Sequence, residues 1–397
     1  MDFAATRDLF HLPDGVIYLD GNSLGPLPKS AAARVKTTIE DEWGQMLIRG
    51  WNEAGWFIQP RKVGDRIAKL IGAEAASVTV GDTLSIRVFQ ALSSALDLAG
   101  PSRKIILSDT GNFPTDLYMA QGLIKSLNRG HILKTVAPDA VENTLTKDIA
   151  VLMLTEVDYR TGRKHDMAAL TAKARSLGII TIWDLAHSAG ALPVDLQSVG
   201  ADFAAGCTYK FLNGGPGAPA FLYVAPRHAD HTSPIMPGWM GHDNPFAFTP
   251  DYAPAAGVER MRIGTPPVIA MAVLEASLDI WDSVDLAALR KQSILLGDLL
   301  ISEVARTCPV LQLVSPRDGN QRGSQVSFAF EQGYAAIQAL IARGVVGDFR
   351  APNIMRFGIC PLYIGEADIR ASAAHIAAVI NGNLWDEPEF MRRNAVT

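Results

Sequence analysis

Apolar and polar positions along the middle of this chain follow two alternating rhythms. The runs KIILSD (104–109), IAVLMLTEV (149–157), GIITIWD (178–184) and ADFAAGCT (201–208) are short, nearly continuous and apolar, and they read as strands. Between them, segments such as MAALTAKARSL (167–177) carry helical spacing. Apolar strands separated by helices predict an α/β fold with a mostly parallel sheet covered on both faces. Ligands in such sheets collect at the carboxyl ends of the strands. From about residue 268 the rhythm changes. Two long helical stretches (268–282 and 285–306) precede a strand, GSQVSFAF (323–330), a helix at 334–343 and a last helix at 366–382. That mixture predicts a second, smaller α+β domain. The expected division is an N-terminal segment (1–50) packed on the small domain or on a partner subunit, a large domain (51–275) and a small C-terminal domain (276–397).

Composition narrows the class. Hydrophobic residues make up 48% of the 397 and charged residues 19%, which suits a globular enzyme and excludes disorder. The net charge of −5, without a basic run, argues against a nucleic-acid partner. No stretch approaches the ~20 apolar residues of a membrane span, and the opening MDFAATRDLFHLPDG lacks a signal-peptide core. Cys207, Cys308 and Cys360 are too few and too scattered for a disulfide framework or a zinc site. A cytoplasmic, reducing setting is expected.

The candidate chemistry centres on AGCTYKFLNGGPG (205–217), where Lys210 stands between an apolar strand and a glycine turn. A lysine at a strand end often just reaches solvent; one kept partly desolvated serves as a nucleophile or Schiff-base former. Asp184 closes the preceding strand, 26 residues earlier, with His187 three residues after it. Alone, Asp184 could be a helix cap and His187 a structural residue. Together with Lys210 they match what a pyridoxal phosphate site needs: an amine for the aldehyde and a carboxylate that keeps the pyridine nitrogen protonated. The segment SVTVGDTLSIRVFQALSSAL (77–96) reads as strand, Gly-Asp turn and helix, whose first turn, with Thr83 and Ser85, could cradle the phosphate or be plainly capped by Asp82 or Thr83. The glycines at 214–215 fit either a tight turn or a close backbone approach to the cofactor.

Several stretches resemble the kynureninase family, within the aspartate-aminotransferase-like, fold type I pyridoxal phosphate enzymes. They are YLDGNSLGPLP (18–28), WGQMLIRGW (43–51), FPTD (113–116), WDLAHSAG (183–190), TYKFLNGGPG (208–217), PGWMGHD (237–243), RMRIGTPP (260–267) and RFGICPLY (356–363), in the family's order over nearly the whole chain. The resemblance implies a seven-stranded large-domain sheet and hydrolysis of L-kynurenine, and of 3-hydroxykynurenine, to anthranilate or its hydroxy analogue and L-alanine in tryptophan catabolism. By the same resemblance Lys210 carries the cofactor and Asp184 meets its ring nitrogen. His187 and Tyr209 also contact it, Tyr209 through the phosphate, and Leu84 and Ser85 form a phosphate-side pair. Phe113 stacks on the ring, with Asp116 nearby, and Thr155 is a further cofactor contact. Trp239 and Thr265 reach the phosphate from the other subunit of a homodimer with shared sites. Arg356 grips the substrate carboxylate, and Trp51, Asn22 and Ser23 lie near the substrate. Trp51, Gly264 and Thr265 bear on the ring substituent, and an indole at 51 resembles the pattern that favours unsubstituted kynurenine. Tyr209 is the leading candidate acid or base for the hydration step. On the same fold, a cysteine desulfurase would need a reactive thiolate, with Cys360 as the nearest candidate, and an aminotransferase would need a keto-acid acceptor.

Overall fold

A computed structural model describes residues 3–393. Its principal element is a sheet of seven strands: β1 (Val78–Val80), β2 (Ile105–Asp109), β3 (Ile132–Val136), β4 (Ile149–Thr155), β5 (Ile180–Asp184), β6 (Phe203–Gly206) and β7 (Phe221–Val224). The order across the sheet is β1-β7-β6-β5-β4-β2-β3. Strands β2 to β6 run parallel, and β7 lies antiparallel to both its neighbours. Every residue of β4 is buried, as a strand covered on both faces requires. Its side chains divide by the pleat: Leu152 and Leu154 enter one apolar core, Val151 and Met153 the other.

Helices supply both covers. On one face, α3 (Leu84–Ala99) presents Val88, Ala91, Leu92 and Ala95, the spacing of a single helical stripe, and α4 (Pro114–Leu127) packs beside it. The other face receives α2 (Gln59–Leu70), α5 (Met167–Ser176) and α6 (Val268–Trp281), with α1 (Lys29–Thr37) packed on α6. That second core continues into a four-stranded antiparallel sheet of order β8-β9-β11-β10, formed by β8 (Gln312–Leu313), β9 (Gln325–Ala329), β10 (Asp348–Arg350) and β11 (Ile354–Gly358). Helices α7 (Leu286–Thr307), α8 (Gly333–Ile341) and α9 (Glu366–Asn381) cover it.

The opening segment docks on these C-terminal elements. Ile17–Tyr18 pairs in parallel with Val345–Val346, Thr6 Oγ1 donates to the Leu362 carbonyl at 2.7 Å, and Arg7 pairs with Asp368 at 2.8 Å. Two strands of the seven-stranded sheet escape the hydrophobic pattern, as do β8, β10 and β11 of the smaller sheet. Strand β3 is a sheet edge whose burial is uneven, with Ile132 exposed, so its residues ILKTV lack a continuous apolar run. Strand β7 is a four-residue insert, hidden between the glycine turn and Pro226. Among the described residues no helix is long and apolar enough to cross a membrane, and no cluster of His, Cys, Asp and Glu could hold a metal.

Candidate active site

Sheet register brings the strand-end residues together. Thr155 and Asp184 are direct partners at the ends of β4 and β5, and Asp184 pairs on its other side with Ala205 of β6. Beyond β6 the chain folds into a tight turn: Gly214 N donates to the Thr208 carbonyl at 2.9 Å and Asn213 N to the Lys210 carbonyl at 2.9 Å. Asn213, Gly215 and Gly217 all take left-handed φ there, so the glycine run serves the turn. This turn projects Lys210 over the sheet's carboxyl edge. Its Nζ lies 3.0 Å from His187 Nε2 and 6.0 Å from the centre of the Phe113 ring. Burial, followed by the Lys210 charge, pushes the His187 imidazole well below its usual range, so it is neutral and accepts from the ammonium.

Asp184 keeps part of the plain role considered for it, since its Oδ1 accepts from Ala186 N at 2.7 Å. Its Oδ2 faces the Thr155 hydroxyl at 3.3 Å, and its carboxyl bonds to that of Asp116. Burial raises both acids, Asp116 the more strongly because the Asp184 charge adds to it. Two touching buried carboxyls do not both ionise. Asp116 therefore carries the proton and Asp184 the charge, which the nearby Lys210 charge favours. Asp116 Oδ2 and His187 Nδ1 are buried without partners.

At the other end, α3 starts without a side-chain cap: Thr83 takes extended backbone geometry but makes no capping bond, and Asp82 turns to Arg87 at 3.4 Å. The first-turn N–H groups, those of Leu84 and Ser85 among them, are left open to an anion. Tyr209 bonds through its hydroxyl to Cys207, and burial pushes its phenol up, so it stays protonated at neutral pH. Phe113 is half-exposed and meets Tyr159 edge to face at 5.2 Å.

Arg356 is not a surface residue; it is 1% exposed. Its Nε donates to Asp348 Oδ1 at 2.6 Å, one Nη donates to Asp348 Oδ2 and to Ser23 Oγ at 2.9 Å, and the other donates to the Tyr159 carbonyl. Asn22 is fully buried with neither amide atom paired. Trp51 packs on Trp56, with ring centres 6.1 Å apart. Trp239 stands elsewhere, in an exposed aromatic cluster with Phe246 and Phe248, and Thr265 lines a small cleft with Asp82 and Arg87. Residues that sequence reasoning missed act as supports. Asn112, one position before FPTD, bonds the Thr155 hydroxyl and accepts from Phe113 N at 2.7 Å. Asp348 is the register partner of Arg356 on the neighbouring strand, and only the pairing of β10 with β11 reveals it.

An amine beside a neutral imidazole, a buried carboxylate, an open helix start and a buried guanidinium therefore make up one candidate site. The family described as the kynureninase C-terminal domain matches residues 289–376. The kynureninase of Pseudomonas fluorescens is 47% identical over 400 aligned positions, covering 99% of this chain and 96% of that protein. The chain belongs to the kynureninase family. Among solved structures, the apo cysteine desulfurase of Thermococcus onnurineus NA1 superposes with a TM-score of 0.80 at 18% identity, covering 96% of this chain and 98% of that one. A C-DES variant with glycine covalently linked to its PLP cofactor gives a TM-score of 0.79 at 19% identity, covering 94% and 98%. The fold is thus that of the fold type I pyridoxal phosphate enzymes, shared beyond the kynureninase family.

Proposed function

We propose that this chain hydrolyses L-kynurenine, and its 3-hydroxy analogue less readily, to anthranilate or hydroxyanthranilate and L-alanine, with pyridoxal phosphate as cofactor, in tryptophan catabolism. The observation that carries the reading is the placement of Lys210 Nζ 3.0 Å from a neutral His187, with its charge acting on the buried Asp184. The residues fit the cofactor. Asp184 is a buried carboxylate at the strand end, able to meet a protonated ring nitrogen, and the open first turn of α3 at Leu84 and Ser85 suits its phosphate. Tyr209, Thr155 and Phe113 would complete the hold. When bound, the cofactor supplies an aldehyde for amines and an electron-poor ring that takes up charge from the substrate's Cα.

The chain's own groups do the rest. Arg356 binds the substrate's α-carboxylate by its planar fork, and Asp348 fixes that fork's orientation. Lys210, once its amine is free, takes the proton from Cα and returns it, with His187 Nε2 as its resting partner. Tyr209, protonated, donates to the oxyanion that develops as water adds to the aryl ketone.

The same proposal includes a homodimer, supported by an apolar cleft of about 770 Å³ lined by Leu27, Trp43, Trp56, Val268 and Ile269. Trp239 and Thr265 would then serve the partner's phosphate. A cytoplasmic location suits the three free cysteines. Those thiols also speak against a desulfurase. All are buried, and burial pushes Cys360 up to about 12. Incubation with kynurenine and 3-hydroxykynurenine, followed by product fluorescence, tests the reading. Anthranilate should form, and Lys210→Ala should abolish it; no product from either substrate, or full activity in the variant, would overturn the assignment.

A further inference from the structure

The segment from Leu19 to Gly25 carries an acid that the mechanism does not use. It is clamped at both ends, Gly358 N donating to the Leu19 carbonyl at 2.7 Å and Gly25 N to the Tyr209 carbonyl at 2.8 Å. Asp20 is thereby fixed between the strand of Arg356 and the turn of Lys210. Its Oδ1 is buried without a partner, and its carboxyl bonds the Ser23 hydroxyl. Ser23 Oγ in turn donates to Asp348 Oδ2 at 2.5 Å and lies 2.9 Å from an Arg356 Nη. Ser23 links the two acids to the guanidinium: its hydroxyl bonds the Asp20 carboxyl and Asp348, and it accepts from Arg356 and, at 3.3 Å, from Arg350.

We propose that Asp20 is a positioning residue that acts as a neutral acid and sets the affinity of the Arg356 site for the substrate's carboxylate. The inference rests on the kynureninase reading of that site. The groups that face Asp20 are Tyr18 and Ser23 on its own segment, Asp348 and Arg350 on β10, Arg356 on β11, and Tyr363 beyond it. Asp348 remains ionised because Arg356 and Arg350 hold it. With Asp20 neutral, two guanidinia face one carboxylate, and a single positive charge is left for the ligand. With Asp20 ionised the cluster is already balanced, so an incoming carboxylate makes it net negative. Burial and the Asp348 charge push Asp20 up to about 8, so this change falls just above neutral pH. Affinity for the carboxylate is complete below that value and is lost as pH rises through it.

The test is binding of β-benzoylpropionate to the holoenzyme by calorimetry. This probe has the aryl ketone and carboxylate of the substrate but no amine to titrate. Its Kd should rise about tenfold from about pH 7 to about pH 9 in the wild type, and less than about twofold in Asp20→Asn. The amide keeps the shape of the neutral acid and cannot ionise. Equal ratios in the two proteins would overturn the proposal, as would a wild-type ratio below about twofold. Should the variant not fold, wild-type calorimetry in two buffers near about pH 8 decides: uptake of about half a proton with the acid and none with its methyl ester supports the role. No uptake with the acid, or equal uptake with both, refutes it. Turnover of kynurenine is measured separately, so loss of that activity and loss of the pH effect remain distinguishable.

Discussion

Asp184 shows how a residue can fill an ordinary role and a chemical one at once. One carboxylate oxygen caps the following turn through Ala186, and the other faces Thr155 in a buried place. Desolvation raises this acid, while the Lys210 charge first, with Asp116 holding the proton of the pair, favours its charged form. Asp184→Asn preserves the cap, because the amide oxygen still accepts from Ala186, but it removes the charge. The variant should fold, bind cofactor and lose roughly 10²–10³-fold in kcat, the scale of one electrostatic or acid–base contribution. Absorbance of the bound cofactor and steady-state kinetics check both halves. A variant of full activity would remove the electron-sink role of this position.

At the scale of elements, the start of α3 offers a cleaner experiment than any deletion. The helix opens without a side-chain cap, which leaves first-turn donors free for the phosphate. Thr83→Asp should supply the missing cap and stabilise the cofactor-free protein by about 1 kcal/mol. The same carboxylate would compete with the phosphate for those donors and repel it, so cofactor affinity should fall by at least about tenfold. Thermal melts with and without cofactor read the two opposite signs. The sequence made this site legible where chemistry sits at strand ends: the apolar run ending in Asp184 and a lysine after β6 marked the edge, and Thr155 entered only by the resemblance. Periodicity could not mark β3, an edge strand with polar positions, or β7, a short reversed strand. Nor could it find Asp348 or Asn112, which matter through a cross-strand register and a hydrogen bond from a loop to a strand end. Glycines in GNSLG explain themselves only in three dimensions. A Cβ on Gly25 would stand 2.3 Å from the Lys210 carbonyl, and one on Gly21 1.9 Å from the Tyr363 hydroxyl.

For the whole molecule, the decisive question is whether one chain completes its own site. Lys210, Asp184 and His187 meet within the chain, but Trp239 packs in an aromatic cluster with Phe246 and Phe248, away from them. Apolar side chains at Trp43, Leu47, Ile48 and Phe248 lie exposed around the cleft and this cluster, a surface that a second copy would cover. If two copies share sites, Lys210→Ala and Trp239→Ala proteins should each be weak or inactive alone. Mixed and allowed to exchange subunits, they should form hybrids in which one site carries both defects and the other is intact. Half of a random mixture is hybrid and half of each hybrid's sites work, so activity should recover to about a quarter of the wild-type value. A monomer in solution, or no recovery after verified subunit exchange, would mean that Trp239 serves the lysine of its own chain or does not serve the site at all.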